Sequence, residues 1–139
     1  MIGRPNILAM EKKTILCVDD EKVVLSSLKS QLKCAFGEDF TIEAAEGPEE
    51  GLDIIEDCSS QGGVHIIVTD WLMPDMKGDE FLIRVHEKHP DIVKIILTGH
   101  ADQSAILNAS DNANLYKCLP KPWKREDLVT AVRKGLACA

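Results

Sequence analysis

Cations are scarce in this chain. It has 16 Lys and Arg against 23 Asp and Glu, a formal net charge of -7 and a pI near 5.0. Nucleic-acid affinity rests on clustered cations, so binding to a phosphate backbone is excluded as a main role. Long apolar runs are missing as well. Stretches such as 66–68 and 95–97 fall far short of the ~20 residues that a membrane-spanning helix needs. Residues 1–10 hold one Arg and no apolar segment of signal length, and no small-residue cleavage site follows. We therefore expect a cytoplasmic protein with a flexible lead over residues 1–12. The cysteines, Cys17, Cys34, Cys58, Cys118 and Cys138, are odd in number and lack C-x-x-C spacing. Reduced, mostly buried thiols are the expectation. The chain has no internal repeat and no low-complexity segment.

What is present suits one domain. The chain has 139 residues, 45% apolar and 28% charged, enough apolar material for a buried core. From Lys13 onward, short apolar runs alternate with segments of helical period. Strands are expected at 14–18, 40–45, 64–69, 93–97 and 115–119. Helices are expected at 23–36, from Pro48 to about 58, at 79–89, at 102–113 and at 124–136. Gly37, Ser59 to Gly63, and Pro90 supply the stops. The fourth helix is polar and weakly patterned. Near-continuous apolar strands between helices indicate a parallel sheet covered on both faces. The fold class that follows is α/β, doubly wound and flavodoxin-like, a (βα)5 chain with strand order 2-1-3-4-5.

In such a sheet the carboxyl ends of the strands share one edge. Asp19, Asp20 and Glu21 follow strand 1, Asp70 follows strand 3, Thr98 follows strand 4 and Lys121 follows strand 5. Carboxylates gathered within a few ångströms repel unless a cation intervenes. All-oxygen ligands suit a hard divalent ion, and two carboxylates plus waters suit Mg²⁺. With an ammonium and a hydroxyl beside it, a carboxylate there is placed to accept a phosphoryl group.

Four segments carry a resemblance: Ile15-Leu16-Cys17-Val18-Asp19-Asp20-Glu21, Ile67-Val68-Thr69-Asp70-Trp71-Leu72-Met73-Pro74-Asp75-Met76-Lys77-Gly78, Ile96-Leu97-Thr98-Gly99-His100 and Leu119-Pro120-Lys121-Pro122-Trp123. In this order and at these strand ends they resemble the receiver domain of two-component response regulators, with the domain expected over 13–139. The resemblance implies a signalling switch that catalyses only its own phosphotransfer and dephosphorylation. Asp70 would take the phosphoryl group from a histidine kinase or phosphotransfer protein. Mg²⁺ would be held by Asp20, Asp70 and the backbone carbonyl of Leu72, with Asp19 acting through water. Thr98 would bond the phosphoryl oxygen and Lys121 would pair with it, its bond to Pro122 often being cis in the family. The signal would leave through the fourth helix, fifth strand and fifth helix. An output domain in the same chain or a partner protein, or a second copy docking on that face, would receive it. The pattern fits a standalone regulator or a receiver cut from a longer protein.

One position departs from the family. Three residues before the lysine, many receivers have a Tyr or Phe that turns inward; here Cys118 stands there. Strand alternation places Tyr116 on the same face as Cys118. Cysteine is too small to replace a rotating ring, so the switch is expected to run through Thr98 and the loop 99–102 to the fourth helix.

Other residues have plainer readings. Asp75 and Asp79 read as a loop acid and a helix cap. His86 and His89 read as a solvated helix face, His100 as overhanging the acceptor, and Trp123 as packing of the fifth helix. A phosphohydrolase working through an aspartyl-phosphate would need an acid two residues after its nucleophile, where this chain has Leu72. A flavodoxin-like cofactor binder would need Gly, Ser or Thr where Asp-Asp-Glu stands.

Overall fold

A computed structural model describes residues 12–99 and 103–138. The order is β1 (Lys13–Val18), α1 (Lys22–Phe36), β2 (Phe40–Ala45), α2 (Pro48–Cys58), β3 (Val64–Asp70), α3 (Gly78–Lys88), β4 (Val93–Thr98), α4 (Gln103–Ala113), β5 (Lys117–Pro120) and α5 (Arg125–Cys138). All strand pairs are parallel, in the order β2-β1-β3-β4-β5. This is the doubly wound fold expected from the alternation.

Strand alternation divides the core into two layers. Ile15, Cys17, Ile66, Val68, Ile95, Leu97 and Leu119 face Leu28 and Leu32 of α1 and Leu128 and Val132 of α5. Leu16, Val18, Ile67 and Ile96 face Ile55 of α2, Phe81, Leu82 and Val85 of α3, and Ala109 and Ala113 of α4. Each fully buried Leu, Ile or Phe contributes about 1.5–3 kcal/mol relative to exposure. The central strands are covered on both faces, so they read as unbroken apolar runs.

Several expectations need correction. β5 begins at Lys117, two residues late: the Leu115 N–H still bonds back to the Ala109 carbonyl of α4 at 3.2 Å. Tyr116 donates its backbone N–H to the Lys94 carbonyl at 2.8 Å, and its ring lies against Gly135 of α5. Cys118 packs on the opposite layer, beside Ile96 and Ala113. The two side chains therefore do not share a face. Only Cys17 of the five free thiols is buried; Cys34 and Cys138 are exposed and Cys58 and Cys118 half-buried. Cys34 falls on the solvent side of α1 and Cys138 ends α5.

His89 caps α3 rather than lying within it, and its Nε2 meets Glu56 Oε2 at 3.3 Å. His86 is half-buried, with Nδ1 3.1 Å from Lys94 Nζ. His100 lies outside the described residues. Trp123 does pack on the α1–α5 layer, and its Nε1 donates to Gln31 Oε1 at 2.9 Å.

Candidate functional site

Register brings the polar strand ends together. Val18 pairs with Thr69, so Asp19 and Asp70 are next along adjacent strands. Thr98 pairs with Pro120, and the Lys121 N–H donates to the Thr98 carbonyl at 2.9 Å. Trp71 N–H donates to the Leu97 carbonyl at 3.0 Å, continuing the ladder just past the strand. Asp19 Oδ1 accepts the Glu21 N–H at 2.8 Å, turning the chain tightly into α1.

Asp19, Asp20 and Asp70 each present one oxygen within 4.8 Å of the others. Asp19 and Asp70 are buried and Asp20 is exposed. Lys121 Nζ lies 3.1 Å from Asp70 Oδ1, 3.3 Å from Asp19 Oδ2 and 3.8 Å from Glu21 Oε1. The Lys121–Pro122 bond is cis. Glu21, Asp70, Trp71, Leu72, Thr98, Gly99 and Lys121 line a cavity of about 190 Å³ over this cluster.

Electrostatics follow the crowding. Burial, then the charge of Asp19, pushes the Asp70 pKa up against the pull of Lys121. Burial likewise raises Asp19, opposed by the Glu21 N–H and Lys121. Burial disfavours the Lys121 ammonium, but its bonds to and charge attraction from Asp70 and Asp19 outweigh that and raise its pKa. The net result is an anionic pocket with one cation directly over two buried carboxylates.

The donor set fits a metal ion on its own chemistry. Three carboxylate oxygens at this spacing, with no soft ligand among them, are a donor set that could hold a hard cation.

The sequence expectations converge here. Asp19, Asp20, Asp70 and Lys121 form the cluster, and Thr98 and Leu72 line the cavity. Glu21 joins them, a role visible in the unbroken acidic run after β1. Asp79 is not a cap. Lys77 holds the N-cap position of α3, and the Asp79 carboxylate accepts from Trp71 Nε1 at 3.0 Å and Asn108 Nδ2 at 2.9 Å. Asn108 is 29 residues away on another helix, so no local pattern announces that contact.

Acids at the β1 and β3 ends, a hydroxyl at β4 and a lysine at β5 of a 2-1-3-4-5 sheet define a class of phosphorylation-controlled signalling domain. Comparison with known proteins agrees. The response regulator receiver domain family matches residues 15–133, and the chain belongs to that family. It is 32% identical over 123 residues to the hydrogenase transcriptional regulatory protein HoxA of Bradyrhizobium diazoefficiens, covering 88% of this chain and 24% of the relative. It is also 32% identical over 123 residues to the sensor kinase CckA of Brucella abortus, covering 88% of this chain and 12% of that protein. Among solved structures, a CheY-like receiver domain protein from Methanospirillum hungatei superposes with TM-score 0.79 at 32% identity, covering 91% of this chain and 94% of that one. The signal receiver domain of an HD domain-containing protein from Pseudomonas fluorescens gives TM-score 0.80 at 28% identity, covering 91% and 95%. The chain thus spans about a quarter or less of these curated relatives. Its role is that of a phospho-acceptor module in two-component signalling.

Proposed function

We propose that Asp70 is the acceptor, in a receiver domain extending over 13–139. The observation that carries this is the Lys121 ammonium, 3.1 Å from Asp70 Oδ1 and 3.3 Å from Asp19 Oδ2, beneath an open cavity. An Asp70 oxygen attacks phosphorus, the bond from phosphorus to the donor's imidazole nitrogen breaks, and an acyl phosphate forms on the carboxylate. Lys121 then turns from carboxylate partner to phosphoryl partner. Thr98, lining the same cavity, donates its hydroxyl to a phosphoryl oxygen. Asp19, Asp20, Asp70 and the Leu72 carbonyl would hold Mg²⁺, which when bound neutralises phosphoryl oxygens.

Leu72 bears on the outcome. Its side chain is 60% exposed at the cavity mouth and offers no acid to a leaving group. A phosphate ester would find no general acid here for its leaving alcohol, so the domain works as a switch that dephosphorylates itself and not as a phosphohydrolase. A histidine kinase or phosphotransfer protein in the cytoplasm supplies the phosphoryl group. The α4–β5–α5 face passes the change to an output domain, a partner protein or a second copy.

Incubation with acetyl phosphate and Mg²⁺, followed by intact mass, tests the reading. Native protein should gain one phosphoryl group and lose it over time, while Asp70→Asn should gain none. Rapid turnover of acetyl phosphate with no adduct would instead indicate a phosphohydrolase, and a persisting adduct on Asp70→Asn would move the acceptor elsewhere.

A further inference from the structure

The side chains that α4 buries fully are small. Its buried residues are Ala105, Ala109 and Ala113, and Leu107 is 58% exposed. Where apolar packing is thin, polar contacts decide where a helix sits. One such contact, and a buried one, is Asp79, on the first turn of α3 and 7% exposed. Both carboxylate oxygens are engaged: Oδ1 accepts from Trp71 Nε1 at 3.0 Å and Oδ2 from Asn108 Nδ2 at 2.9 Å. The Asn108 amide is itself oriented, because its Oδ1 accepts from Asn112 Nδ2 at 2.8 Å.

At its other end this chain of bonds reaches the acceptor. Trp71 directly follows Asp70, and Lys77 Nζ stacks over its ring at 5.3 Å. The start of α3 cannot drift from that loop. Gly78 N–H donates to the Trp71 carbonyl at 2.7 Å, and a Cβ at Gly78 would stand 2.9 Å from Trp71 Cα. Trp71, Asp79 and Asn108 therefore form a continuous polar link from the residue beside Asp70 to the middle of α4.

We propose that Asp79 is a positioning residue that ties α4 to the acceptor loop, so that displacement of Trp71 moves or releases α4. This coupling rests on Asp70 being the acceptor. It supplies a route to α4 that needs no rotating aromatic at the Cys118 position of β5. A buried carboxylate shared by two donors responds to the loss of either, because one of its buried oxygens is then left without a partner.

Hydrogen exchange of the α4 amides in the resting protein tests the tether without any phosphoryl chemistry. Trp71→Phe keeps an aromatic ring but removes the indole N–H; Asn108→Ala removes the other donor. Each should speed exchange across residues 103–113 by about tenfold, and the double variant should exceed the larger single effect by little. Effects that multiply, or a Trp71→Phe variant with native α4 exchange, would overturn the tether.

Beryllofluoride with Mg²⁺ then tests the coupling. Native α4 exchange should rise on binding, while Asn108→Ala, still binding the mimic by ¹⁹F NMR, should lose that rise. A full native-sized rise in Asn108→Ala would overturn the proposal. Failure of the native protein to bind beryllofluoride would overturn the acceptor reading on which the coupling rests, while the resting-state exchange still judges the tether itself.

Discussion

Asp70 and Asp19 lie buried side by side with Asp20 within reach, and one lysine balances them. Both buried carboxylates have pKa values raised above 3.8, first by burial. The folded state thus holds these protons more tightly than the unfolded chain. Their contribution to stability is complete below pH 3.8 and is lost as pH rises through the folded values. At neutral pH the ionised pair is a cost. Metal-free Asp70→Asn should therefore melt about a few degrees higher than native protein. That gain should vanish near pH 3, roughly where the native pair also carries its protons. Calorimetry at the two pH values checks this, and a lower melting temperature at neutral pH would count against the crowded cluster. Asp20, exposed and free to turn toward a cation, makes a second test. Asp20→Ala should weaken the Mg²⁺ response of tryptophan fluorescence by about tenfold or more.

Among the elements, α3 and β4 carry the features that the sequence pattern conceals. The backbone of Gly78 is pressed against the acceptor loop, leaving no room for a side chain. Gly78→Ala should lower stability by about 1–3 kcal/mol, measured by urea denaturation, because backbone must shift to admit the methyl. β4 carries Lys94, fully buried, with its ammonium on the Ile92 carbonyl at 2.7 Å and on His86 Nδ1 at 3.1 Å. Burial pushes its pKa down to about 8, against the pull of Asp91. Between about 8 and the ordinary 10.5 the unfolded chain binds more protons, so this group makes stability rise with pH across that window. Native protein should gain in urea midpoint over Lys94→Met as pH rises from about 8 to 10.5; parallel curves would place the ammonium in water.

Helix and strand periods were plain wherever an element buries a full face, as in α1, α3 and β3. The start of β5 was not plain, because Leu115 and Tyr116 are apolar enough to read as strand while the Leu115 N–H still bonds back to Ala109 of α4. Asp79 and Lys94 escaped for a related reason. Asn108 meets Asp79 through the crossing of α3 and α4, and His86 meets Lys94 through the seat of α3 beside β4, which no local period encodes.

At the scale of the whole molecule, a parallel sheet converts sequence order into a shared edge. Asp19, Asp70, Thr98 and Lys121 each follow or end a strand, so the site was legible once the strand order was inferred. Pairing register then sets Asp19 beside Asp70 and Lys121 over both. The chain is a receiver domain, and the acceptor proposed for it, Asp70, lies at that edge. The most direct test is to locate the phosphoryl group chemically. After reaction with acetyl phosphate and Mg²⁺, borohydride reduces an acyl phosphate on aspartate to homoserine, which peptide mass spectrometry assigns to one position. Homoserine is expected at position 70 alone; homoserine at 19, 20 or 75, with Asp70 unchanged, would overturn Asp70 as the acceptor.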